Sequence, residues 1–205
     1  IELAAGVMRL RVVIDQVISA YASARLDRIH PVVLEILRLG VYQLIAMPEM
    51  PPYAAVGATV DCVPPRLGSR TRGFVNAVLR RVAGSLTRVE RAAPTRRAWR
   101  ATKSLDVVFD RDVFPDPLTH AHEWRAFQSA LTADTFALIK RSVPAELLDG
   151  VLEASMSAPR VTIRRQASRI AADALVESLR VDGISVEPIT TNAWTVRGGD
   201  VSATA

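Results

Sequence analysis

Several things are scarce in this chain of 205 residues, and each scarcity excludes some chemistry. There is one cysteine, Cys62, so no intrachain disulfide can form and no cysteine-based zinc site can be completed. That usage fits a reducing, cytoplasmic compartment. Cys62 has no histidine near it in sequence, so it reads as a small semi-buried filler and not as a catalytic thiol. Aromatic residues make up 5% of the chain, so the core must come mostly from Leu, Val, Ile and Ala. No run of 18 apolar residues exists, which leaves no membrane-spanning candidate, and the first residues do not resemble a signal peptide. Lysine is almost absent, and the cations are nearly all arginine.

What is present is apolar and unevenly charged. A hydrophobic content of 49% supports a real core and excludes wholesale disorder. Residues 1–100 carry 15 Lys/Arg against 7 Asp/Glu, whereas residues 101–205 carry 11 against 14. Within 66–100 there are ten Arg and one acid. The first half therefore looks built to meet a polyanion and the second does not. Arginine grips phosphate bidentately and stacks on bases, which lysine does less well. A high genomic GC content would favour arginine too.

The apolar spacing gives the elements. Leu3, Val7, Leu10, Ile14, Val17/Ile18 and Tyr21 recur at three and four, one helical stripe with Arg9 and Arg11 off it. Pro31 opens the next helix, where a missing N–H costs nothing. There Val33, Ile36/Leu37, Gly40/Val41 and Leu44/Ile45 form a stripe wide enough for a central, well-buried helix. Gly40 lowers helix propensity by about 1 kcal/mol relative to Ala, a loss that a close helix crossing would offset. Tyr42 and Gln43 read as interdomain or surface packing residues, with a functional role as the alternative. Pro48, Pro51 and Pro52 end this helix, and Tyr53–Val63 reads as a third, with Ala55/Val56, Thr59/Val60 and Val63 inward.

After Pro64–Pro65, Arg66–Arg72 reads as a basic loop leading into a helix that starts at Gly73. Backbone N–H groups and arginine forks would converge on phosphate there. The Gly-Lys-Ser/Thr ending of a Walker loop is missing. In the helix, Phe74/Val75, Val78/Leu79 and Val82 face inward, and Asn76 inside that pattern is expected to hold a neighbouring loop's backbone. Arg80 and Arg81 lie where the helix dipole favours cations.

Residues 84–117 read as a basic linker or exposed helix, with Arg88, Arg91, Arg96, Arg97 and Arg100 before Asp106, Asp110, Asp112 and Asp116 reverse the sign. The aspartate spacing does not fit a calcium loop. Residues 118–158 return to helix, with Trp124, Phe127, Leu131, Phe136, Leu138/Ile139 and Leu147/Leu148 as core. His120 and His122 lack a third ligand and read as helix-start or packing residues, so no metal is expected. Beyond Pro159 the period changes. Val161–Arg164, Ile184–Val186 and Trp194–Val196 read as strands, Ile170–Val181 as a helix, and Gly183 and Gly198–Gly199 as turns. The fold class expected is mainly α: a helical bundle, a helical linker and a small incomplete α/β element. Ile1 is not Met and a helical pattern is already running at Leu3, so the sequence is expected to be a piece of a longer chain.

Leu37–Arg38–Leu39–Gly40–Val41–Tyr42–Gln43–Leu44, followed by Pro51 and Ala54–Ala55–Val56, resembles the NusB-type helical domain of antitermination factors. Gly73–Arg81 resembles the version of that domain in bacterial 16S rRNA cytosine-C5 methyltransferases of the Fmu/Sun type. Leu3, Gly6, Val7 and Arg9 match its opening helix, with earlier helices missing. His120–Ala121–His122–Glu123–Trp124 resembles the family's histidine-proline-tryptophan signature without the proline. Pro159–Arg165 resembles the strand that opens a small RNA-binding, RRM-like subdomain, with Gln166 in place of the usual Asn. Gly57 also stands where that family has Asn.

The resemblance implies a NusB-like RNA-binding domain over residues 1–83 that lacks its first helices. It implies a linker over 84–117, and over 118–205 a helical segment with part of the RNA-binding subdomain. In such enzymes S-adenosylmethionine and two cysteines act in a Rossmann-like domain. None of its motifs is in this sequence, so no catalytic residue and no cofactor is assigned here, and the chain alone is expected to be inactive. The partners implied are 16S rRNA and the missing C-terminal methyltransferase domain, with neither membrane nor DNA. The expected RNA contacts are Arg9, Arg11, Arg70, Arg72, Arg80 and Arg81, with Gly40, Tyr42, Gln43, Phe74 and Asn76 as the structural motif. The alternatives are an antitermination-type RNA factor acting in regulation of transcription, or a non-enzymatic helical module from a decayed gene.

Overall fold

The structure is a computed structural model that describes residues 2–102, 104–157 and 161–198. Pro159 and Gly199, where the sequence suggests a change of period and a turn, lie outside those residues. The fold is mainly helical, as expected, with two small antiparallel sheets among the described residues. It divides into two units, residues 1–157 and 158–205.

The first unit begins with α1 (Glu2–Arg9) and α2 (Arg11–Tyr21). The spacing predicts one helix, but the chain turns at Leu10 (φ −98°, ψ 11°). The Leu10 N–H still reaches Gly6 O at 3.0 Å, and the Ile14 N–H reaches Leu10 O at 2.9 Å, so the apolar stripe keeps its register. Val7, Leu10, Ile14, Val17, Ile18 and Tyr21 are all buried. Helix α3 (Pro31–Ala46) starts with Pro31 in its first turn, and His30 Nδ1 accepts the Val32 N–H at 3.2 Å. It packs against α1 and α2, and also against α4 (Pro52–Asp61) and α5 (Gly68–Ser85).

Small residues set how closely these helices approach. A Cβ on Gly40 would lie 2.8 Å from both δ-methyls of Leu79 and 2.9 Å from Thr59 Cγ2, so α4 and α5 both close onto α3 there. Gly6 does the same for α1, since a Cβ on it would collide with the Tyr42 ring. Gln43 is buried and donates Nε2 to Leu39 O and Thr59 Oγ1, both at 3.2 Å, which satisfies its amide and ties α3 to α4. Phe74 packs half-buried against the same core.

One cation sits inside this apolar packing. Arg38, 5% exposed, donates Nε and Nη2 to the two oxygens of Asp15, each at 2.7 Å, and Nη1 to Glu35 at 2.5 Å. Asp15 foremost, then Glu35, raise its pKa above the usual arginine value against the opposing effect of burial. A planar fork gripped by carboxylates is the geometry in which arginine tolerates loss of water. Removing one partner of such a pair strands the other charge, so the bridge specifies how α2 meets α3.

Around the junction of α4 and α5 two features differ from the reading of the sequence. Helix α5 begins at Gly68, five residues before Gly73. A 3-10 turn at Pro65–Leu67 leads into it, Gly68 takes a φ of +78°, and Thr71 Oγ1 donates to Leu67 O at 2.6 Å, so the helix grows directly from the turn. Arg70 and Arg72 therefore ride on a helix and not on a loop. Cys62 is exposed, because it falls just past the end of α4, where its Sγ contacts Ala58 O at 3.3 Å.

The stretch read as a linker or exposed helix forms a sheet instead. Strands β1 (Thr87–Val89), β2 (Ala98–Arg100) and β3 (Asp106–Val108) pair in the order β1-β3-β2, with Arg88 and Trp99 both opposite Val107. Trp99, Val107, Phe109 and Phe114 are buried in the same core as α1–α5. Tyr21, Phe109, Phe114 and Phe127 stand in sequence, ring centroids 6.2, 6.1 and 5.9 Å apart. The aspartates answer the arginines: Asp106 with Arg91, Asp110 with Arg111, and Asp112 with both Arg96 and Arg97. Asp116 instead accepts the Leu118 N–H at 2.8 Å.

Helices α6 (Ala121–Gln128), α7 (Ala133–Ser142) and α8 (Ala145–Met156) enclose a second small core of Ala126, Phe136, Leu148 and Leu152. Leu138 and Leu147, expected inside, are 54% and 57% exposed, because these short helices bury only a narrow stripe. The second unit runs β4 (Thr162–Arg164), α9 (Ala172–Val181), β5 (Ser185–Thr190) and β6 (Ala193–Gly198), with sheet order β4-β6-β5. Gly183 turns at φ +75°, and Arg165 fastens the start of this unit to Asn192 Oδ1 and Ile170 O.

The packing around two glycines and one tyrosine sets three expected stability effects. Gly40→Ala is expected to destabilise by about 1 kcal/mol net, since overpacking at roughly 1–3 kcal/mol outweighs the gain in helix propensity. Gly57→Ala, whose Cβ would meet nothing within 4 Å, is expected to stabilise by up to about 1 kcal/mol; urea midpoints check both signs. Burial, with help from the Asp110 carboxylate and against the Ser85 hydrogen bond, pushes the Tyr21 hydroxyl up to about 12. Its folded pKa exceeds the unfolded one, so this contribution is intact below about pH 10 and lost as pH rises toward about 12, by roughly 2 kcal/mol. Denaturation across that range should show a shallower decline for Tyr21→Phe than for the parent, and equal declines would contradict the assignment.

Candidate nucleic-acid interface

Helix α5 carries four of the six arginines singled out from the sequence as RNA contacts. Arg70 and Arg66 are exposed and have no side-chain partner among the described residues. Arg72 forms an ion pair with Asp61 at the end of α4. Arg80 donates Nε to Asn76 Oδ1 at 3.1 Å, and Arg81 donates Nη1 to the Tyr21 carbonyl at 3.3 Å. Arg11 lies on α2, 3.9 Å from Asp15, and Arg9 is half-buried at the end of α1.

Helical spacing sorts these side chains into two rows. Arg72, Asn76 and Arg80 follow at intervals of four on the side facing α4. Arg70 and Arg81, eleven residues or about three turns apart, lie on another stripe that meets α2. The arginines of α5 expected to contact RNA are thus divided between two sides of the helix. Asn76 does not hold a loop backbone. It is half-buried on the α4 side of its helix, and its amide oxygen is taken by Arg80 one turn later.

Between α4 and α5 runs an open groove of about 390 Å³. Val56, Val60 and Ala83 line it with Arg72, Asn76 and Arg80, and Tyr53 stands at its edge, 81% exposed. Tyr53 carries no weight in the apolar pattern of α4, since Ala55, Val56 and Thr59 face the core. A bulky ring off the buried stripe was the available signal for a surface role. Arg38 gave no such signal, because an arginine between two leucines fits an exposed position equally well.

The other candidates prove structural. His120 stands at the N-cap of α6 and His122 packs edge-on against Phe136, with centroids 4.9 Å apart. No cluster of three metal-binding side chains occurs among the described residues. No helix among them is long and apolar enough to cross a membrane.

Residues 1–84 match the NusB family. A Mycobacterium tuberculosis protein named "Putative methyltransferase" is 36% identical over 135 residues, covering 64% of this chain and 27% of that protein. The transcription antitermination protein NusB of Rhodospirillum rubrum is 43% identical over 74 residues, 35% of this chain and 40% of that one. That of Sorangium cellulosum is 37% identical over 92 residues, 44% of this chain and 65% of its own. The matched part of the chain spans only 27% of the mycobacterial relative's length. Residues 1–84 are a NusB-like domain, in a chain related over part of its length to a protein named as a methyltransferase.

Proposed function

We propose that this chain binds RNA, as the N-terminal region of an S-adenosylmethionine-dependent 16S rRNA cytosine-C5 methyltransferase. The observation that carries the RNA reading is the run of exposed arginines on α5 and the turn before it: Arg66 and Arg70 have no partner among the described residues, and Arg72, Arg80 and Arg81, on two sides of the helix, are held only at the surface. Arginines so placed offer their free N–H groups to phosphate, and exchanging an exposed ion pair for a phosphate costs little. The methyltransferase reading is supported by the length of the mycobacterial match, 135 residues, which runs past the 84 of the NusB-like domain.

The residues present do not fit the cofactor chemistry itself. Cys62 sits exposed past the end of a helix, its Sγ against the Ala58 carbonyl, and no glycine-rich strand-to-helix loop occurs among the described residues. In this reading the methyl donor and the catalytic cysteines belong to a domain outside this sequence, and the division into a NusB-like part, a connecting part and an RNA-binding α/β part serves to place the rRNA. The second reading, an antitermination-type RNA factor, is favoured by the 43% identity to the Rhodospirillum rubrum protein. It shares the arginines and differs in the RNA.

Filter binding of 16S rRNA fragments tests the proposal. The Arg70/Arg72/Arg80/Arg81 quadruple Ala variant is expected to bind at least about tenfold more weakly, with a salt dependence shallower by about 0.7 per lost contact. Unchanged affinity and slope would remove the assignment. Tighter binding to a short antiterminator-type RNA than to any 16S fragment would favour the second reading.

A further inference from the structure

We propose that the groove between α4 and α5 receives one unpaired base of a single-stranded RNA, stacked on Tyr53 and read at its edge by Asn76. This rests on the RNA-binding reading above and specifies the form of RNA that the site takes.

Four observations converge on it. Tyr53 is an aromatic ring 81% exposed in a chain with few aromatics, and it lines the groove where no packing role holds it. Gly57 lies four residues on, one turn along the same face, and a Cβ there would meet nothing within 4 Å. The groove is therefore open beside the tyrosine ring, over an apolar floor that includes Val60. A flat base has an apolar face to match, and stacking on an aromatic side chain is tolerant of its identity.

The third observation is the state of Asn76. Its Oδ1 accepts from Arg80 Nε at 3.1 Å, which orients the amide and leaves its NH2 without a partner among the described residues. Those two donors match the carbonyl and ring-nitrogen acceptors on a base edge. The fourth is the placement of charge. Arg72 and Arg80 stand one turn to either side of Asn76, so a strand whose base enters the groove has cations beside its backbone. Asp61, the acid in this groove, is already paired with Arg72. A duplex keeps its base faces stacked inside and cannot present one to Tyr53, which makes the site selective for single strands. A peptide would find the same apolar floor but would leave this cation–amide row without use.

The test compares a labelled single-stranded RNA of about ten nucleotides with its own blunt duplex, by fluorescence anisotropy on the full chain. Tyr53→Ala removes the stacking face. Gly57→Leu fills the groove from an exposed helical position and raises helix propensity, so it preserves the fold. Each variant is expected to lower single-strand affinity by about tenfold while duplex affinity, held by phosphate contacts, stays within about twofold. Unchanged single-strand affinity in both variants overturns the inference and leaves the groove to a protein partner, while RNA binding elsewhere on α5 stands. Equal losses for both RNA forms, with unchanged circular dichroism, also overturn it. Failure of the parent chain to bind either RNA removes this inference and the broader reading together.

Discussion

The first unit depends on how closely its helices can approach α3. Two positions without side chains decide this: Gly40, against Leu79 and Thr59, and Gly6, against Tyr42. Interior packing is dense and forgiving of little extra volume, so these gaps fix the depth at which α1, α4 and α5 sit. Gln43 then adds direction to the contact with α4, because a buried amide must find its partners in one geometry. The outward row on α5 is a by-product of this arrangement. With Leu79 locked into the space beside Gly40, Arg72, Asn76 and Arg80 can only face α4 and solvent.

Charge is distributed by the same logic of partners. The first hundred residues hold far more arginine than acid, yet much of that cation is already engaged. Arg38 is gripped by Asp15 and Glu35, while Arg91, Arg96 and Arg97 meet aspartates brought in from after residue 105. Arginines that pair with these carboxylates shape the fold, whereas Arg66 and Arg70 have no such partner among the described residues. Net charge over a stretch of sequence therefore overstates what a ligand would meet. The distinction lies in which acids fold back onto which arginines.

Helical periodicity was sufficient for α3 and α4, whose apolar positions repeat over several turns. The width of the α3 stripe correctly implied a central helix, and Gly40 was read correctly as a close crossing. The segment after α5 was illegible for a physical reason: strands of three residues are too short to display a period of two. Trp99 and Val107 are buried by joining the core of the helices, which local pattern cannot reveal. The start of α5 was missed because Gly68 and a run of arginines resemble a loop, although a proline-led turn nucleates the helix. Arg70, Arg72, Arg80 and Arg81 do lie on α5, though on two sides of it, while Tyr53 and Gly57, which give the groove its shape, form no pattern of their own.

The row of rings from Tyr21 through Phe109 and Phe114 to Phe127 carries the hydrophobic interior well past residue 84, where the match to the NusB family ends. Homology and cohesion thus place their borders differently. A fragment trimmed to the recognisable family stretch would uncover the flank of α2 that Phe109 and Phe114 shield, inviting self-association through a surface that water never meets in the longer chain.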